Sequence, residues 1–254
     1  MNAALREHWR HYAIEAWGLG MFMFVAGAMA ALLGRFSFPP LEARVLFGAA
    51  MGTTVMALAY SPWGARSGAH MNPSLTIAYA WLRKLAPWDA TFYIVAQFAG
   101  GFAGLACAAL IFGAALTAPP TESIVTKPGA AGISAAFAAE AAMTFILMTV
   151  ILYVSNARPQ IARFTAVCSG ILVATFITLE APISGMSLNP ARTFASSIVA
   201  NDWTAAWLYL VAPPLGMLAA AFVYTRLHGS KAVKCGRLHH ASKFHCIFRC
   251  GMSR

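Results

Sequence analysis

Charge is what this sequence has least of: eight acidic and 18 basic residues leave the 254-residue chain 10% charged, against 59% hydrophobic. With a mean hydropathy of +0.65, it has too little polar surface to cover a soluble domain of this size. The chain belongs in a membrane. No nucleophile, base and orienting group form a convincing set, and no glycine loop is suited to cradle phosphate, so the sequence reads as a non-enzyme without a cofactor. Cysteine is also sparse, at five residues. Cys107 and Cys168 lie inside apolar stretches and are expected to pack in the core rather than react.

Six long apolar segments follow, at about residues 12–33, 45–62, 87–113, 133–155, 164–181 and 205–224. Most can cross a hydrocarbon layer of about 30 Å as single helices; the second and fifth are the shortest. The first exceeds the apolar core of a secretory signal and carries Glu15 near its start, so it reads as a retained span. Six spans put the N-terminus, the region 66–84, the Arg158/Arg163 loop and the C-terminal tail on one side. That side holds 14 of the 18 Lys and Arg residues, leaving Arg35, Arg44, Lys127 and Arg192 opposite. The positive-inside rule makes both termini cytoplasmic, with the plasma (inner) membrane as the expected location. The tail from Arg226 onward supplies seven positive charges of the formal +10. It suits anionic lipid headgroups, and the high pI is no sign of a nucleic-acid partner.

Two polar interruptions carry the functional signal: Ser67-Gly68-Ala69-His70-Met71-Asn72-Pro73-Ser74 and Ser184-Gly185-Met186-Ser187-Leu188-Asn189-Pro190-Ala191-Arg192. Asparagine suits a helix N-cap and proline the first helical position. The apolar stretches that follow, 74–82 and 191–200, are too short to span and read as half-helices. Glu15 lies early in the first span and Glu140 early in the fourth, and each is followed by one more span and an Asn-Pro segment. Three spans plus a half-helix therefore occur twice, with the second copy inverted because three is odd. The half-helices enter from opposite sides and can meet N-terminus to N-terminus, where irregular backbone is tolerated only beside a cavity or buried in protein. Glycines at 18, 20 and 27, and the Gly100-x-x-x-Gly104 pair, suit close helix contacts.

The paired Asn-Pro motifs, the Gly-Ala-His before the first, Asn189-Pro190-Ala191-Arg192 and the two intramembrane glutamates resemble the aquaporin and aquaglyceroporin family over about residues 13–227. The resemblance implies an all-α membrane protein of six transmembrane helices and two re-entrant half-helices in a right-handed bundle, tetrameric, with one pore per protomer. Ser74 stands where the family usually has alanine. Residues 1–227 are expected to form the channel domain, with repeat one at about 12–113 and repeat two at about 133–227, and 228–254 a basic Cys/His-containing tail.

Asn72 and Asn189 would direct side-chain N–H donors at the junction. The two half-helix N-termini add about half a positive charge each. Arg192 adds a full charge, so cations and relayed protons meet a barrier. The resemblance gives Glu15 and Glu140 the role of holding the loops, and His70 that of supporting its loop or lining the cytoplasmic mouth. Counting from the motifs, it places the narrowest ring at Gly52, Ile177, Met186 and Arg192, where water-selective members have an aromatic, a histidine, a small residue and arginine. Glycine and isoleucine there imply a wider, more apolar opening, partly refilled by flexible Met186. Water with glycerol, urea or neutral metalloid hydroxides is then the expected cargo, and a homotetramer in the lipid bilayer the expected assembly.

A proton-coupled secondary transporter using the intramembrane glutamates is the alternative. Glu180, before Ala181-Pro182, has no role that the sequence assigns. In the tail, Cys235, His239, His240, His245, Cys246 and Cys250 offer ligands that suit zinc or copper. Their spacing matches no standard finger, so no metal is assigned. A structural disulfide is not expected in the reducing cytosol.

Overall fold

The computed structural model describes residues 1–239, 244 and 246–251. Its helices run α1 (Asn2–Leu33), α2 (Pro40–Tyr60), α3 (Pro62–Ser67), α4 (Pro73–Trp81), α5 (Pro87–Phe112), α6 (Ala114–Thr117), α7 (Gly132–Ser155), α8 (Pro159–Ala162), α9 (Thr165–Ser184), α10 (Pro190–Ala200) and α11 (Ala206–His228). Six of them, α1, α2, α5, α7, α9 and α11, are long and apolar enough to cross a membrane. Proline opens α2, α4, α5 and α10, where its fixed φ suits the first turn and no N–H is needed. Val95, Leu110, Ile111 and Leu179 project from the outside of the bundle, as a lipid-facing surface requires.

Packing follows the inverted repeat. α1 lies along α5 as α7 lies along α11; α2 crosses α9; α4 packs on α11 as α10 packs on α5. Exchanging the two halves leaves this set of neighbours unchanged. Glycines set the closest approaches: a methyl at Gly104 would collide with the Gly20 carbonyl, one at Gly100 with the Ala16 carbonyl, and one at Gly216 with the Ala141 carbonyl. The small-residue stripe thus joins the first span to the third, a pairing that the sequence left open.

Two boundaries and one burial differ from expectation. α1 begins ten residues before position 12 because its polar first turns dock on protein: the Tyr12 hydroxyl donates to Asp89 Oδ1 at 2.6 Å, and His8 Nδ1 lies 2.8 Å from the same oxygen. α2 begins at Pro40, with Glu42 in its first turn, where a carboxylate suits the helix dipole. Cys107 is exposed on the outer face of α5 rather than in the core.

Candidate functional site

The half-helices α4 and α10 meet at their N-termini. Asn72 caps α4, its Oδ1 accepting from the Ser74 N–H at 2.8 Å, while its Nδ2 donates to the Leu188 carbonyl at 2.9 Å. Asn189 caps α10, its Oδ1 accepting from the Ala191 N–H at 3.0 Å, while its Nδ2 donates to the Met71 carbonyl at 2.8 Å. Each amide therefore ties its own half-helix to the opposite loop. One N–H of each side chain is taken by that tie, and a second remains.

The loops before the caps are strained in matching places: Ala69 and Met71 in one, Met186 and Leu188 in the other, have positive φ, a region that side chains beyond glycine visit at a cost. The buried glutamates hold them there. Glu15 accepts from the His70 and Met71 N–H groups at 3.1 and 2.6 Å and from Ser67 Oγ at 2.8 Å. Glu140 accepts from the Ser187 and Leu188 N–H groups at 2.6 and 2.8 Å and from Ser184 Oγ at 2.8 Å. Both glutamates are fully buried, and their partners stand at the same offsets from Asn72 and Asn189. Gln97 Nε2 adds a further donor to Glu15 at 2.8 Å. Its counterpart in the second half is Pro213, which offers no such donor; there Glu180 Oε2 lies 2.9 Å from Ser184 Oγ.

Tyrosines close the pattern, Tyr93 donating to the Ser67 carbonyl and Tyr209 to the Ser184 carbonyl. Sequence reasoning passed over Ser67, Ser184, Tyr93, Tyr209 and Gln97. The Ser-Gly that opens both interruptions was the available signal for the first two.

A continuous cavity of about 660 Å³ runs past this junction. It reaches from Phe36, Phe38 and Arg44 near the start of α2 to Leu58, Ala59 and His70 on the face that carries both termini. Asn72, Asn189, Ile177, Met186 and Arg192 line it. Arg192 Nη1 is buried without a hydrogen-bond partner. Pro73, Ser74, Pro190 and Ala191 lie behind the wall as buried half-helix starts, and the Ser74 hydroxyl is buried without a partner.

Gly52 departs from its expected place. It lies at the crossing with α9, where a methyl would collide with the Gly170 carbonyl, and it does not line the cavity. Met51, about 100° around the helix, faces the cavity with Phe47 and Val55.

His70 is buried on the termini face. Its Nε2 donates to the Gly236 carbonyl at 2.8 Å, its Nδ1 lies 3.1 Å from Thr76 Oγ1, and its ring stacks on Tyr79 at 5.1 Å. Among the tail candidates, His239 packs against the Tyr60 ring, and His240 and His245 lie outside the described residues. Cys235, Cys246 and Cys250 converge, their Sγ atoms all within 4.8 Å of one another.

Two inverted halves, each contributing a capped half-helix to one cavity through the bundle, define an integral membrane protein built around a transmembrane passage. The profile of the major intrinsic protein family matches residues 3–224, and the chain belongs to that family. It is similar to aquaporin NIP1-3 of Oryza sativa subsp. japonica, 34% identical over 174 residues, covering 68% of this chain and 58% of the relative. It is also similar to aquaporin NIP1-4 of the same organism, 32% identical with 84% and 78% covered. The match thus spans under two thirds of the length of the first relative and more of the second. The aquaglyceroporin structure from Plasmodium falciparum superposes with a TM-score of 0.73 at 20% identity, over 89% of this chain and 99% of that one, which shows the fold.

Proposed function

We propose that this protein is a passive pore for water and small uncharged solutes that excludes ions and protons. The observation that carries this reading is the reciprocal Asn72/Asn189 junction inside a continuous cavity. Two helix N-termini place partial positive charge there, and the remaining amide N–H groups donate to an oxygen-bearing solute. A cation finds no carboxylate at this point, and Arg192 adds its own charge to the same wall. A relayed proton meets the same field.

The proposed selective ring takes Arg192, Ile177, Met186 and, in place of Gly52, Met51, all of which line the cavity. Three of the four are hydrocarbon or thioether and one is a multiple donor. Such a ring takes a solute with an apolar edge and a hydroxyl or amide edge, which favours glycerol, urea or a neutral metalloid hydroxide passing alongside water. Two methionines set its width through flexible side chains.

The coupled-transporter alternative is disfavoured by the same contacts. Glu15 and Glu140 lie behind the loops with their oxygens engaged by loop N–H and hydroxyl donors, which suits a scaffold better than a proton relay. The family resemblance supports a homotetramer and no catalytic activity. The basic residues near the termini support a plasma (inner) membrane location with both termini cytoplasmic, with residues 1–227 as the channel unit and 228–254 as its tail.

Stopped-flow light scattering on reconstituted protein, comparing water, glycerol, urea and an ionic control, tests the reading. Solute-driven swelling with glycerol or urea and none with the ionic control supports it. Ion entry contradicts it.

A further inference from the structure

The tail is built onto the molecule. Lys234 N–H donates to Asn156 Oδ1 at 2.6 Å, Leu238 N–H to the Gly68 carbonyl at 3.1 Å, and Arg249 N–H to the Lys84 carbonyl at 2.9 Å. The Gly236 carbonyl receives His70 Nε2, and Phe248 packs on the His70 ring at 5.2 Å. Leu238 lines the cavity itself. An outgoing segment through Cys235 and Leu238 and a returning one through Cys246 and Cys250 thus lie across the termini-side mouth. A Gly251 N–H bond to the Lys234 carbonyl at 2.7 Å joins the two.

The three cysteines lie where these segments meet. Cys235 is buried, its Sγ is 3.6 Å from Cys246 Sγ, and Cys250 Sγ lies within 4.8 Å of both. In a tetrahedral zinc site, bonds of about 2.3 Å place sulfurs about 3.8 Å apart, so small side-chain adjustments bring all three onto one ion. Soft sulfur donors select zinc or copper(I) over the hard cations. Zinc keeps a fourth position for water or another donor.

We propose that Cys235, Cys246 and Cys250 form a three-thiolate site for a thiophilic metal ion of the zinc class, and that the bound ion fastens the tail across the termini-side mouth of the passage. Binding forms three metal–sulfur bonds and releases the thiol protons to solvent. The metal site stands on the cluster alone; the fastening rests on the pore reading.

The full chain, purified under thiol reduction and loaded with zinc or cobalt(II), tests both parts. After desalting, one metal per chain and a thiolate-to-cobalt charge-transfer band are expected. Cys235→Ser, Cys246→Ser and Cys250→Ser should each bind at least tenfold more weakly while eluting as folded protein in gel filtration. Cys107→Ser and Cys168→Ser should bind like the parent. A reduced parent chain that holds no metal, or serine variants that hold as much as the parent, would overturn the site. In liposomes, chelation should raise water flux through the parent severalfold and leave the tail variants unchanged; parent flux that ignores chelation overturns the fastening. Absence of flux in every state would contradict the pore reading, and the metal content would still decide the site.

Discussion

Single side chains divide here into those that hold the loops and those that face the cavity. Arg192 faces it, with Nη1 unpartnered. Arg192→Ala should admit larger solutes and weaken charge exclusion, read as glycerol, urea and ion permeability in liposomes; unchanged selectivity would remove Arg192 from the ring. Glu140 holds a loop through two backbone N–H groups and Ser184. Glu140→Gln sets an amide NH₂ against donors, so the variant should lose at least about 2 kcal/mol of stability, seen as a lower Tm in detergent.

Ser74 has the opposite sign. Its buried hydroxyl has no partner, so Ser74→Ala should leave stability unchanged or raise it by about 1 kcal/mol. Lys127 bonds both Asp202 and Glu122 on the far face, and its hydrogen bond with Asp202 brings that carboxyl down to about 2. A depressed carboxyl stabilises above its unfolded pKa of about 4. The contribution of this pair should therefore persist at neutral pH and fade only as pH falls towards about 2. Asp202→Asn should remove that acid-side fading from a Tm-against-pH series.

Elements tell how much a sequence can say. The six spans and both half-helices were legible because apolar length and a doubled Asn-Pro are strong signals, each arising from a local rule about bilayer thickness or helix capping. The polar start of α1 was not, because its stability comes from Asp89, 81 residues away from His8. Register within α2 was also illegible: only the Gly52–Gly170 crossing shows that Met51 faces the cavity. In the same way, Tyr93 and Tyr209 emerge as loop anchors only once the halves are folded against each other. The α1–α5 seam is sensitive to size. Gly104→Leu should abolish folded, monodisperse protein in gel filtration, because the Gly20 carbonyl occupies the space that a side chain needs; a normally eluting variant would mean that the two helices can separate.

Over the whole molecule, one arrangement is used twice: a buried glutamate, a Ser-Gly turn, a strained loop, an asparagine cap and a tyrosine anchor in each half. The two copies face each other across a shared cavity, so the helix N-termini converge on its wall. The tail breaks this symmetry: Leu238 lines the termini-side end of the cavity, and α2 with the segment around Pro120 lines the other end. Conduction of neutral molecules without protons is the part of the proposed function that follows most directly from the converging N-termini.

The decisive measurement is simultaneous recording of volume and internal pH in liposomes holding the full chain, under an osmotic step and an imposed proton gradient. A passive neutral-solute pore gives fast volume change with internal pH no different from protein-free vesicles. Proton entry that tracks solute uptake would contradict it and make the glutamates a relay.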